Sequence, residues 1–259
     1  VIKPYRNYLT ELSICPDCFN FPKDQNCLMQ TMKPSMLMTK IERCSKNYPA
    51  RLNDLCDPPS QLYIKGDVRL LNLPMIAIVG SRQASPEGLQ NAYFLAKALS
   101  EAGLVILSGM ARGIDGAAHR ACISLGEQHL TAAVFGTGID VIYPKEHFGL
   151  AGDISRQGLL LSELPPGSGP RPFHFPRRNR IIAALALGIL VIEAAERSGS
   201  LITARLGNEL GREIFAIPGS IHHPLSKGCH QLLQQGAKLV QSPEDILEEL
   251  PKYQKTSLK

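Results

Sequence analysis

The hydrophobic pattern changes character at Met75. Residues 75–79 are an unbroken apolar run closed by Gly80. Runs of that kind belong to strands buried on both faces, because alternation marks a strand with one wet face. Residues 87–99 then repeat at helical spacing, with Leu89, Ala92, Leu95, Ala96 and Leu99 on one side. The two patterns alternate down the chain. Apolar runs at 104–107, 130–135, 159–161, 189–192, 214–217 and 238–240 predict strands, and 116–125, 179–187, 201–210 and 230–235 predict helices. Repeated strand–helix units predict an α/β fold with a parallel sheet covered by helices on both faces.

Ahead of Met75 the pattern is weaker. Residues 1–45 mix Pro, Asn, Lys, Met and Cys without sustained periodicity and read as an irregular segment, the remnant of a small helical domain. Residues 46–74 carry frequent turn signals (Tyr48-Pro49, Asp57-Pro58-Pro59, Gly66-Asp67) and one short edge strand at Leu62-Tyr63-Ile64. They read as a connector packing on a core of residues 75–250, with 251–259 as a tail.

Composition narrows the class. With 44% hydrophobic and 20% charged residues in 259, the chain is an ordinary globular protein. The longest apolar stretch, 181–195, is interrupted by Gly188 and Glu193 and is too short to span a bilayer. The N-terminus lacks a basic-then-apolar signal, so a cytoplasmic protein with no membrane partner is expected. Seven cysteines are irregularly spaced. Cys15-Pro-Asp-Cys18 has no second close pair to complete a zinc site, so reduced thiols are the default and zinc the alternative. No cofactor is expected.

The net charge of +5 is mild, but its distribution is not. No Asp or Glu occurs from 165 to 192, a window that holds Arg171, Arg177, Arg178 and Arg180. A second acid-free stretch, 214–243, carries Lys227, Lys238 and three histidines. Guanidiniums without a local carboxylate call for an anionic partner, and their planar fork suits phosphate. Phe173, His174 and Phe175 place flat faces beside them, on which any base can stack. The plain alternative is a solvated loop whose arginines cap or bridge a helix. Pro176 biases Phe175 toward an extended backbone, its ring lying over a bound strand or else sealing the top of the sheet.

Ligands of an open parallel sheet bind beyond the carboxyl ends of its strands. The residues there are Gly80-Ser81-Arg82, Ser108 to Asp115 with Arg112, Gly136-Thr137-Gly138, Ser198-Gly199-Ser200 and Pro218-Gly219-Ser220. Glycine lets backbone N–H groups approach an anion, and helix N-termini attract it. Neither the dinucleotide fingerprint nor a Walker-type phosphate loop is present. Asp115 and His119, at i and i+4, read as an acid–base pair or as a helix cap beside a packed histidine. Ser81 has no neighbouring base in a recognisable motif. His222, His223 and His230 read as metal ligands or as satisfied loop histidines.

Assembled in order, these motifs resemble the bacterial DNA-processing protein A family, also called Smf. The resemblance spans roughly residues 48–250. It rests on Ala77 to Arg82, Ser108-Gly109 with Ala111 to Asp115, Phe175 to Ala183, and Glu193-Ala194 with Ser198 to Ala204. It implies an extended Rossmann-like, doubly wound domain that binds single-stranded DNA in natural transformation and recombination, without catalysis. It also implies shielding of incoming strands, displacement of single-strand-binding protein, loading of the RecA recombinase, and a homodimer. Carried over residue by residue, the DNA contacts are Ser81, Arg82, Arg112, Phe175, Arg177, Arg178, Asn179, Arg180, Ser198, Gly199 and Ser200. Residues 1–45 match poorly the helical N-terminal domain of many members, and Lys259 comes too soon for their winged-helix domain. A cysteine often found in members is missing from the loop at Gly136-Thr137-Gly138. The competing enzyme class is the nucleotide phosphoribohydrolases of related fold, for which Glu193 beside Ser198-Gly199-Ser200 is the nearest catalytic candidate, without the Pro-Gly-Gly of their phosphate loop. An inactive scaffold, its arginines used for protein contacts, is the remaining alternative.

Overall fold

The computed structural model describes residues 37–126 and 129–250. The Cys15–Cys18 pair and most of the stretch expected to be irregular lie outside them, as does the 251–259 tail. The described residues form a sheet in the order β1-β2-β6-β5-β4-β3-β7-β8-β9. The parallel strands are β3 (Met75–Gly80), β4 (Val105–Ser108), β5 (Thr131–Phe135), β6 (Leu159–Ser162), β7 (Gly188–Ile192), β8 (Glu213–Ala216) and β9 (Lys238–Leu239). Two strands ahead of Met75 extend this sheet antiparallel: β2 (Gln61–Gly66) pairs with β6, and β1 (Thr39–Glu42) pairs with β2. The predicted strand at 62–64 therefore exists, but it is covered by β1 and is not the edge.

Successive side chains of each strand point to opposite faces, and in the central strands β3 to β7 both faces are dry. Ile76 and Ile78 pack with α1 (Pro86–Glu101) and α2 (Ile114–Leu125) through Leu95, Leu99, Ala118 and Ala121. Met75, Ala77 and Val79 face α4 (His174–Leu185) and α5 (Gly199–Glu209) through Ile181, Ile182, Leu185 and Ala204. This two-sided burial is why the strand sequences are continuous apolar runs. A helix absent from the sequence reading, α3 (Phe148–Gln157), covers Ala133 and Leu160 with Ala151 and Ile154. Its Gly149 and Gly152 lower helix propensity, and tertiary packing overrides them. The layer is completed by α6 (Lys227–Gln234) and the short α7 (Glu244–Leu247).

From β3 the chain steps outward through β4, β5 and β6, then returns to pair β7 with the other side of β3. Connections thus leave β3 and β7 in opposite directions, which opens a crevice beyond their carboxyl ends. Among the described residues, the two non-glycine residues with left-handed backbone, Met110 and Glu193, both sit on this rim.

Asp115 and His119 do not form a pair. His119 is fully buried, with Nδ1 2.7 Å from Thr131 Oγ1. The Thr131 hydroxyl already donates to Ile106 O at 2.7 Å, so Nδ1–H donates to it. Burial pushes the His119 pKa down to about 3 from 6.5. Between those values the unfolded chain binds the extra proton. Stability from this site is complete above pH 6.5 and drains away as pH falls. Urea titrations at pH 7 and 5.5 should show a smaller pH-dependent loss for His119→Gln than for wild type; equal losses would remove His119 as the source.

Candidate nucleic-acid interface

A cleft of about 610 Å³ occupies the switch point. Of the sequence-predicted contacts, Ser81, Arg82, Arg112, Phe175, Arg178, Asn179, Ser198, Gly199 and Ser200 line it. Strands β3, β4 and β7 deliver three of the predicted glycine-rich loops to its walls. The Gly136–Gly138 loop stands behind Phe175, and the Thr137 hydroxyl is spent on Val141 O at 2.6 Å. The Pro218–Ser220 loop does not line the cleft; Leu225 reaches it from further along.

The Gly109–Asp115 loop is pinned from within. Asp115 Oδ2 accepts from Gly109 N at 3.0 Å and Ala111 N at 3.3 Å, so the carboxylate holds the loop rather than capping its helix. Burial raises the Asp115 pKa, against the pull of the Arg178 guanidinium and these N–H groups. At the β7 loop, Glu193 accepts from Ser85 N at 2.8 Å and from the Ser85 hydroxyl. Its carboxylate therefore sits over the N-terminus of α1, where the helix dipole favours it. Ser198 caps α5 by accepting from Ser200 N at 3.2 Å, and Asn179 Nδ2 donates to Gly199 O at 3.2 Å, tying α4 to the start of α5. The Ser81 hydroxyl accepts from Gln83 N at 3.1 Å.

The arginine cluster does not act as one patch. The expectation that all of it faces an outside anion is corrected at Arg178 and Arg180, which are largely buried, whereas Arg177 stays exposed. Arg178 is only 6% exposed: Nη1 donates to Gly109 O at 2.6 Å and to Val134 O, and Nε donates to Asn179 Oδ1 at 3.1 Å. Burial pushes its pKa down to about 10, with Asp115 opposing the fall. Its guanidinium lies so close to Gly109 that a Cβ there would stand 2.5 Å from Nη2. Arg180 pairs with Glu163 and donates to Asp57 O. Arg177 pairs with Glu163 at 3.1 Å. Glu163 lies just before the acid-free window, and Asp57 lies far upstream. Neither Arg177 nor Arg180 lines the cleft.

Helix α4 begins at His174, five residues before the predicted start, so Phe175 is helical rather than extended. Pro176 is tolerated because it falls in the first turn, where its missing N–H has no intrahelical acceptor. The turn sets the half-buried Phe175 ring against Gly136, where a Cβ would lie 2.8 Å from it. Arg82 stands over the ring at 5.6 Å from its centroid. Arg112 lines the cleft but is ion-paired with Glu146, both side chains exposed. Tyr143, which the sequence reading missed, completes this wall with its ring 5.5 Å from Phe175. Aromatic residues at strand-end loops are the signal that would have found it.

Residues 39–251 match the family model for DNA recombination-mediator protein A. The chain belongs to that family. DNA processing protein DprA of Streptococcus pneumoniae is 50% identical over 202 residues, covering 78% of this chain and 71% of that protein. The X-ray structure of that protein superposes with a TM-score of 0.80 at 45% identity, over 89% of this chain and 79% of that one. A Helicobacter pylori DNA processing protein A, whose structure was determined for its single-stranded DNA binding mode, superposes with a TM-score of 0.75 at 30% identity, over 85% of this chain and all of that one. The recombination-mediator fold is thus the extended Rossmann-like, doubly wound sheet that the motifs implied. Among the described residues no helix is long and apolar enough to cross a membrane, and no His, Cys, Asp and Glu side chains cluster to hold a metal.

Proposed function

We propose that this recombination-mediator family member binds single-stranded DNA across the switch-point cleft. The observation that carries the reading is Arg82. It is an exposed cleft guanidinium with no carboxylate partner among the described residues, and it lies against an aromatic ring. Such a group offers its fork to phosphate while the aromatic wall beside it, Phe175 together with Tyr143, offers a face to a base. The contacts proposed in the cleft are Ser81, Arg82, Arg112, Phe175, Asn179, Ser198, Gly199 and Ser200. Arg112 exchanges Glu146 for phosphate, and Arg177 serves the outer margin. Arg178 serves the site by holding the Gly109 loop, and Arg180 by fixing α4 to Glu163 and Asp57. The H. pylori relative named for its single-stranded DNA binding supports the same ligand.

As a cytoplasmic homodimer, the protein shields strands taken up in natural transformation, displaces single-strand-binding protein and loads the RecA recombinase. The site works by binding without catalysis. Glu193, the nearest candidate for a hydrolase, is engaged by Ser85 at the start of α1.

Titrating labelled single-stranded and duplex oligonucleotides across a salt series tests the reading. Single strands should bind much more tightly, with log K falling linearly against log salt as counterions are released. Equal affinity for duplex, or a flat salt response, would defeat it.

A further inference from the structure

Phe175 is the aromatic that the motifs single out, yet its ring is already occupied: Gly136 packs against it and Arg82 stands over it. Tyr143 differs. It is 47% exposed, lines the same cleft, and meets Phe175 only at a tilt of 45°. Of the four described tyrosines, the other three have a hydroxyl partner. Tyr48 donates to Pro59 O at 2.7 Å, Tyr63 accepts from Gln61 at 3.0 Å, and Tyr93 bonds Ser124 Oγ at 2.6 Å. The Tyr143 hydroxyl has no partner among the described residues, whereas a packed tyrosine ordinarily finds one.

The loop beneath Tyr143 is fixed on both sides. Thr137 holds Val141 O, and the Asp140 carboxylate accepts from Gly167 N at 2.9 Å. Pro144, the next residue, is buried, and His147 N donates to its carbonyl at 3.1 Å. His147 Nδ1 in turn lies 3.0 Å from Met110 O, tying the loop to the wall that carries Arg112. A flat, half-exposed ring on a fixed loop, lining the same cleft as Arg82, loses little freedom when a ligand lies on it, because only two side-chain torsions need settling.

We infer that Tyr143 is a base-stacking ledge of the cleft. It takes one unstacked nucleobase of a single strand whose phosphate lies at Arg82, and Phe175 positions it from behind. The ledge rests on the single-strand reading above. It is indifferent to base identity, since every base has a π-face, and it excludes duplex, whose bases are stacked on each other.

The test uses the full chain with oligothymidine and with a matched strand abasic throughout the bound length. Tyr143→Ala should weaken oligothymidine binding about 5- to 150-fold while its melting temperature stays at the wild-type value. Tyr143→Phe should bind as wild type, because the hydroxyl has no partner to lose. On the abasic strand the alanine variant and wild type should converge. If wild type itself fails to prefer single strands, the cleft reading falls and this inference with it. If wild type binds but Tyr143→Ala binds equally well, only the ledge is overturned. Equal penalties on normal and abasic strands, or a loss in Tyr143→Phe as large as in Tyr143→Ala, would also overturn it, because neither would come from stacking.

Discussion

Arg178→Ala is expected to lower stability by about 3–5 kcal/mol, roughly 1–3 for each buried carbonyl left without its donor together with the lost field on the buried Asp115. The substitution removes the guanidinium whose field opposes the burial of the Asp115 carboxylate, and leaves Gly109 O and Val134 O without this donor. For a domain of this size that is a fall in melting temperature of roughly 6–20 °C. The carbonyls it joins belong to the β4 loop and to β5, so the damage should spread to the cleft, with DNA affinity lost in proportion to the unfolded fraction. Arg178→Lys should rescue only partly, because a single ammonium cannot reproduce the planar fork. A thermal melt paired with a binding titration checks this. An alanine variant that melts with wild type yet loses single-strand affinity would show that Arg178 is a phosphate contact after all.

Arg82→Ala should do the opposite. Its guanidinium is exposed and its described contact is the Phe175 ring, worth about 0.5–1 kcal/mol at a wet site, so the melt should hardly move. Losing a charge-assisted contact to phosphate, about 1.5–3 kcal/mol, corresponds to roughly 10- to 150-fold in affinity for single strands. The slope of log K against log salt should also fall by about one. An unchanged salt slope with reduced affinity would mean that Arg82 acts through the ring and not through phosphate. Arg112→Ala makes a useful comparison, because Glu146 already competes for that side chain.

The two arginines lie in similar glycine-flanked or basic stretches of sequence, yet the structure gives them opposite work. Nothing local to Arg177-Arg178-Asn179-Arg180 distinguishes its members. The acid-free window was real, but its partners came from outside it, with Glu163 from the end of β6 and Asp57 from ahead of β2. Phe175 was similarly underdetermined. The bias of a residue before proline toward extended backbone is local, and it lost to the packing of α4 on the sheet, which starts the helix early enough to take Pro176 into its first turn. Asp115 looked like a helix cap by position and instead satisfies the N–H groups of the loop before it.

The sequence by itself determined the order of buried strands and covering helices, the glycine-rich loops at the strand ends, and the family. All of these are written in neighbours along the chain: apolar periodicity, turn residues and ordered motifs. Only the tertiary structure decided which loops share one cleft, which cations in it remain unpaired, and which aromatic ring keeps an open face. Charge pairing and ring exposure depend on distances between residues as far apart as Asp57 and Arg180 or Tyr143 and Phe175. Those distances exist only once the return from β6 to β7 brings the two halves of the sheet together at β3.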